Sequence, residues 1–384
     1  MSTTKIPFNI PYLTGFEEDY VTKSLRSRAH CGNREYADKC IDLLEKKYGF
    51  HSVFLTTSCT TAMEMGAILA GLEPGDEVIL PSYTFASTGN AIALRGAIPV
   101  FCDVDPKTMN MDPALIPPLI TKKTKMLLPI DYAGIPCEID DVMEISQEYG
   151  LIVMQDAAQS TNSYHKDGRA CGVVPSLAAF SFHETKNINC GEGGALIVND
   201  PALVERAHIV QEKGTDRSLV LKGVKNKYGW ADLGSSFLLA DILSAMLLAQ
   251  LEHVDAITEK RAVVTQGYRG LFAPYEERGC LQTPKPPEGV RINNHAFFVI
   301  FDTEANQQRF LSNCREKNVF AYIGYVPLHS WNMGRKYGYQ PNDVPLTEDI
   351  SKRIVRLPFY ADLAEEGLDY CLDSMKQVLD AMYA

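Results

Sequence analysis

Between residues 52 and 211 short apolar runs alternate with stretches of helical periodicity, and this alternation restricts the fold more than any other feature of the chain. Val53–Thr57 reads as a strand, and Thr60–Leu72 follows with Ala62, Met65, Ile68 and Leu69 spaced along one helical face. Glu77–Leu80 reads as a second strand and Ala86–Leu94 as a second helix. Val100–Asp103, Lys125–Ile130, Leu151–Gln155, Leu177–Phe182 and Ala195–Val198 continue the series, with a helix over Asp140–Tyr149. Strands that alternate with helices form a mostly parallel sheet covered on both faces, an α/β architecture. In such sheets ligands bind beyond the carboxyl ends of the strands, in the loops that enter the next helices.

After this region the pattern predicts two long helical segments, Leu233–Gln250 and Val254–Leu271, and a Pro-rich passage, Thr283–Gly289, marks a change of lobe. A strand over His295–Phe301 and helices over Glu304–Lys317 and Glu366–Met382 complete the expected order. The longest apolar stretch, Phe237–Leu251, is interrupted by Asp241 and too short to span a bilayer, so it reads as a buried helix. No apolar leader is evident at the start of the sequence. The ten cysteines form no CxxC pair and no Cys/His cluster at zinc spacing, the usage of reduced thiols in a cytoplasm. A net charge of −11 argues against a nucleic-acid partner, since phosphate backbones are bound by clustered Lys and Arg.

Four features fall where the fold rule places a ligand. Ser58-Cys59-Thr60-Thr61 lies between a strand and a helix, where backbone N–H groups and hydroxyls can hold a phosphate or simply cap the helix. Asp156 closes the strand LIVMQ, and Ala157, Ala158 and Gln159 follow it. A carboxylate there can bind metal, act as a base or pair with a protonated ring nitrogen. Lys186 ends Ser181-Phe182-His183-Glu184-Thr185-Lys186 after the strand LAAF; a lysine at a strand exit forms a Schiff base if burial lowers its pKa, and is otherwise a solvated loop residue. Gly191-Glu192-Gly193-Gly194 permits backbone turns beside a cofactor. A phosphate cradle, an Asp and a Lys in adjacent loops are together the parts a pyridoxal 5'-phosphate (PLP) enzyme needs.

With these blocks, and with SCTTAMEM, PGDEVILPSYTF, DVDPKTMNMD, QDAAQ, FSFHETKN, GEGGA, EKGTDRS and PLH, the chain resembles the DegT-like sugar-nucleotide aminotransferases along essentially its whole length. They are a branch of the aspartate aminotransferase-like, fold type I PLP enzymes. The resemblance implies a large PLP-binding domain over residues 1–250 and a smaller C-terminal α+β domain over 251–384. Lys186 would hold PLP covalently and move protons, and Asp156 would keep the pyridine nitrogen protonated. Gln159 would hydrogen-bond near the ring hydroxyl, Phe85 would stack on the ring, and Ser58, Cys59, Thr60 and Ser181 would hold the phosphate. The chain departs from the family's Gly-x-Asn-x-Arg-Met stretch, which in many relatives supplies an Asn to the neighbouring subunit's PLP phosphate. Here the run is Gly234-Ser235-Ser236-Phe237-Leu238-Leu239, leaving Ser236 as the remaining donor.

The segment 213–227 carries Lys213, Arg217, Lys222, Lys225 and Lys227 against a single Asp216. Arg217, Lys222 and Lys225 are therefore expected to attract the diphosphate of a nucleotide sugar, on this or a partner subunit, unless they form an ordinary exposed basic loop. His329, in the PLH run, matches a family position near the sugar-nucleotide site. By resemblance the partners are L-glutamate and dTDP-4-dehydro-6-deoxy-D-glucose, aminated at C4 to a 4-amino-4,6-dideoxyhexose, galacto in configuration, for polysaccharide biosynthesis. A homodimer with shared active sites is expected. Amination at C3 and a non-catalytic PLP-binding regulator are the alternatives; a sugar dehydratase of this kind carries His at the position of Lys186.

Overall fold

The computed structural model describes residues 4–221 and 223–384. Two helices, α1 (Glu17–Ser27) and α2 (Glu35–Tyr48), precede the alternating region. That region runs β1 (Val53–Thr56), α3 (Cys59–Leu69), β2 (Glu77–Pro81), α4 (Ala86–Ala93), β3 (Ile98–Cys102), β4 (Thr124–Leu127), α5 (Ile139–Tyr149), β5 (Ile152–Asp156), β6 (Leu177–Ser181), β7 (Gly194–Val198) and α6 (Pro201–Gln211). The seven strands form one sheet in the order β1-β7-β6-β5-β4-β2-β3. Only β7 runs against the others, pairing antiparallel with both β1 and β6. The carboxyl ends of β1, β2, β5 and β6 therefore share one edge with the start of β7, where Gly194 lies opposite both Thr56 and Ser181.

Side chains alternate across this sheet because successive Cβ atoms point to opposite faces. Phe54, Val78, Leu80, Met154, Ala179 and Leu196 meet α3, α4 and α6 on one face. Val53, Leu55, Ala178, Phe180, Ala195 and Ile197 turn the other way, toward α2 and the next long helix. The strands are consequently apolar over most of their length, as a doubly covered sheet requires.

The chain continues through α7 (Arg217–Leu221), α8 (Asp241–Glu252), α9 (Val254–Glu277) and β8 (Leu281–Gln282). Then come β9 (Phe298–Phe301), α10 (Glu304–Glu316), β10 (Tyr322–Ile323), α11 (Asn332–Lys336), α12 (Pro345–Arg353), β11 (Ile354–Arg356), α13 (Leu363–Glu366) and α14 (Leu368–Met382). The second sheet, β10-β11-β9-β8, is wholly antiparallel and packs under α9, α10 and α14 around Phe272, Phe297, Phe301 and Phe310. Ile6 is buried in this second core and pairs with Val319, so the chain around Ile6 sits on the C-terminal lobe.

The helix expected from Leu233 begins only at Asp241. Residues 237–240 instead alternate between buried and more open positions, a period of two, and lie along β1: Thr57 N–H donates to the Phe237 carbonyl at 3.0 Å and Leu238 bridges Thr56. An unpaired sheet edge offered this segment backbone partners that its apolar composition could not reveal. Asp241 then caps a helix other than its own, accepting from the Tyr36 and Ala37 N–H groups of α2 at 3.1 and 2.9 Å.

Candidate active site

The first wall of the site is the N-terminus of α3. Ser58 caps it reciprocally: its hydroxyl accepts from Thr61 N–H at 3.1 Å, and its own N–H donates to the Thr61 hydroxyl at 3.0 Å. Thr60 donates to Ser87 in the first turn of α4 at 2.8 Å, which brings two helix N-termini together. Helix N-termini carry positive dipole ends and spare N–H donors, and two of them converging make an anion cradle. Gly194 closes it from β7. A Cβ there would stand 2.4 Å from the Cys59 nitrogen and the Ser58 carbonyl carbon, so only glycine permits this approach. Cys59 is buried, and burial holds its thiol well above the ordinary range.

Asp156 ends β5 and Lys186 follows β6. The Asp156 carboxylate accepts from the Thr88 hydroxyl at 2.8 Å and from the Ala158 N–H at 3.1 Å. Burial pushes its pKa up, while those two hydrogen bonds and the Lys186 charge pull it down. Lys186 is half-buried on a turn closed by its N–H donating to the His183 carbonyl at 2.9 Å. Burial lowers its pKa and Arg356 adds to this, with Cys59 and Asp156 opposing. An amine eased toward neutrality is what nucleophilic and proton-transfer chemistry requires. Ser181 is buried beside Gly194. Gln159 turns its carbonyl to Ala133 N–H at 2.7 Å and its amide toward the Tyr325 hydroxyl at 3.4 Å.

Phe85 is 60% exposed at the start of α4, unusual for a Phe. It lines a cleft of about 470 Å³ with Phe101, Tyr325, Leu328, Trp331 and Tyr337. The structure thus brings Ser58, Cys59, Thr60, Phe85, Asp156, Gln159, Ser181 and Lys186 to one sheet edge. Thr88, Ser87, Tyr325 and Arg356 join them without having stood out in the sequence. The hydroxyl run Ala86-Ser87-Thr88 entering α4 resembles the one entering α3 and was the available signal. Tyr325 and Arg356 come from the second lobe, and no local pattern announces them.

The expected substrate residues, and Ser236 expected at the cofactor phosphate, are not among this group. Lys225 pairs with Asp216 at 2.5 Å and Arg217 lies 3.7 Å from Glu212, which is also 3.8 Å from Lys213. Glu212, just outside the basic run, thus offsets part of the charge that the run suggests. Lys222 lies outside the described residues. Ser236 is exposed and bridges Glu212. His329 does not face the cleft: its ring is sealed inside, with Nδ1 2.6 Å from the Ser82 hydroxyl and Nε2 2.9 Å from Glu348. Its neighbour Leu328 lines the cleft instead, so His329 fastens the PLH turn to the end of β2.

Comparison with known proteins decides the family. Residues 12–376 match the DegT/DnrJ/EryC1/StrS aminotransferase family. The chain belongs to this family. It is 27% identical to the spore coat polysaccharide biosynthesis protein SpsC of Bacillus subtilis, across 97% of each chain. It is 31% identical to a pleiotropic regulatory protein of Geobacillus stearothermophilus across 82% of each. Among solved structures, the aminotransferase TlmJ from Streptoalloteichus hindustanus matches with a TM-score of 0.90 at 25% identity, over 99% of this chain and 100% of that one. The protein is a PLP-dependent aminotransferase of fold type I architecture. Its sheet edge suits that cofactor: a doubled helix-end cradle against which only glycine fits at residue 194, a buried carboxylate, a desolvated amine and an open aromatic face.

Proposed function

We propose that this aminotransferase moves the amino group of L-glutamate to the C4 ketone of dTDP-4-dehydro-6-deoxy-D-glucose. The product would be the dTDP-4-amino-4,6-dideoxyhexose of galacto configuration, the reaction of a dTDP-4-amino-4,6-dideoxygalactose transaminase, for polysaccharide biosynthesis. The observation that supports this reading is Lys186 with Asp156 at the sheet edge, next to α4, whose N-cap residue Phe85 lines a large aromatic cleft. A volume of about 470 Å³ accommodates a bulky substrate of sugar and base rather than an amino acid alone. The name of the relative SpsC agrees with a role in polysaccharide synthesis.

Bound there, PLP supplies an electron sink and a carrier for the amino group. Lys186 holds the cofactor between turnovers and shuttles a proton to and from the reacting carbon. Asp156, steadied by Thr88 and the Ala158 N–H, keeps a proton on the ring nitrogen. Phe85 bounds one ring face. Ser58, Cys59, Thr60, Ser87 and Ser181 meet the phosphate. Arg356, its guanidinium 5.0 Å from the Tyr325 ring centroid, would meet the donor's carboxylate in this reading. Lys225, Lys222 and Arg217 attract the sugar nucleotide's diphosphate. Desolvated Lys186 near buried Asp156 also favours an enzyme over a non-catalytic regulator, which has no use for a depressed amine pKa.

The protein acts as a homodimer with shared sites in this reading. Val224, Tyr228, Trp230 and Leu233 stand exposed on one loop, with Trp230 at 84%, as expected of a surface that a second copy covers. The reading keeps domains of residues 1–250 and 251–384, a division that the presence of two separate sheets supports. Incubation with dTDP-4-dehydro-6-deoxyglucose and glutamate, with the product solved by NMR, tests the reaction. An axial amine at C4 is expected; an amine at C3, or no turnover, rejects the assignment.

A further inference from the structure

One half-buried titratable group near Lys186 has no part in the chemistry above. His295 lies on the strap 291–295, which enters the second sheet. Its Nδ1 is 2.9 Å from Oδ1 of Asn187, the residue after Lys186. The Asn187 amide is oriented by its own bond, since Nδ2 donates to the Asn293 carbonyl at 2.8 Å and turns Oδ1 toward the imidazole. An amide oxygen only accepts, so Nδ1 of His295 carries the proton. Burial, then the nearby charges of Lys186, Arg261 and Arg356, hold the ring's pKa well below the usual histidine range. The tautomer is thereby fixed, with Nε2 unprotonated.

The strap is anchored from three sides. Buried Arg261 of α9 donates to the Asn294 carbonyl at 2.9 Å and the His295 carbonyl at 2.5 Å. It has backbone carbonyls for partners, and burial brings its pKa down to about 9. Asn293 donates from its amide to the Gln159 and Thr161 carbonyls, both at 2.8 Å, and from its backbone to Ser163 at 2.9 Å. Gly134 seals this junction: with φ at +80° and a Cβ site 2.0 Å from Asn293 Oδ1, it admits no side chain. One strap thus ties together the Asp156–Gln159 loop, the Lys186 loop and the second lobe.

We propose that His295 is a positioning residue for Lys186: its Nδ1–H holds Asn187, and through it the Lys186 backbone, at a fixed height over the loop that carries Asp156. Lys186 reaches the reacting carbon through a four-carbon stem, so a backbone displacement of about 1 Å changes both its charge interaction with Asp156 and its proton-transfer geometry. Because the partner of Nδ1 is fixed, the ring contributes through donation and adds no positive charge beside the amine.

This inference rests on Lys186 being the PLP lysine, and its spectral readout needs only the cofactor. The holoenzyme is titrated with pH at the absorbance band near about 420 nm. His295→Ala should move the midpoint by about 1 pH unit. It should lower kcat about 10- to 100-fold and change both KM values less than about 2-fold. His295→Asn, whose amide NH2 takes the place of Nδ1–H, should restore the midpoint and kcat to within about 3-fold of wild type. Asn187→Ala removes the acceptor and should match His295→Ala, and the double variant should be no worse than either single one. If His295→Ala fails to fold, His295→Asn and Asn187→Ala carry the test. An unmoved midpoint in Asn187→Ala, a His295→Asn variant as impaired as Asn187→Ala, or additive losses in the pair would each overturn the proposal. Normal titration without turnover of the sugar nucleotide would reject the substrate assignment alone.

Discussion

The loops at the carboxyl edge of the large sheet and the loop from Lys213 to Ser236 are both rich in polar groups, but they manage charge in opposite ways. At the sheet edge the two groups assigned to the chemistry are desolvated, with Asp156 displaced upward and Lys186 downward by loss of water, while His183, Glu184 and Glu192 stay at the surface. In the basic loop the charges are many and exposed. Lys225 already has Asp216, and the Lys225 contact holds that carboxyl below its ordinary range. Scarce, desolvated charges perform chemistry because each has a large effect on its neighbour in a poorly screened site. Numerous solvated charges steer a ligand and are individually weak.

Substitutions can break that contrast, and the largest effects belong at the sheet edge. Lys186→Ala should lower kcat more than about 1000-fold with the fold intact, measured by steady-state turnover beside circular dichroism. Gly194→Ala places a methyl group against the α3 N-terminus. It should destabilise the apo-protein by about 3 kcal/mol in urea denaturation and abolish PLP binding. Thr88→Val removes the hydroxyl donor to Asp156 without opening a cavity. Raising the pKa of that carboxylate further should reduce kcat about 10-fold, or about 1.4 kcal/mol. In the basic loop, Arg217→Glu with Lys225→Glu should raise the sugar-nucleotide KM about 3- to 10-fold and leave the glutamate KM unchanged. An equal rise in both KM values would show that the loop shapes the site instead of attracting a substrate.

The same contrast separates what the sequence reveals from what it hides. Apolar runs bounded by Gly, Pro and hydroxyl residues located the strands to within a few residues, because a sheet buried on both faces tolerates little else there. Asp156 and Lys186 stood out because each lies just past a strand that could be recognised. The partners that fix their properties come from far along the chain. Thr88 reaches Asp156 from α4, Arg356 arrives from the second sheet, and His295 meets Asn187 across 108 residues. The helix expected at Leu233 failed for a related reason: residues 237–240 find hydrogen bonds on the edge of β1, a partner that local periodicity cannot register. His329 was misplaced because its motif shows that it is near the site but not which way it faces, and Ser82 and Glu348 turn it inward.

The central claim, that Lys186 is the residue that binds PLP, has a direct measurement. Borohydride reduction of the purified holoenzyme, followed by proteolysis and mass spectrometry, should find one pyridoxyl-modified peptide, with the label on Lys186. A label on any other lysine, or quantitative labelling of the Lys186→Ala variant, would contradict the account.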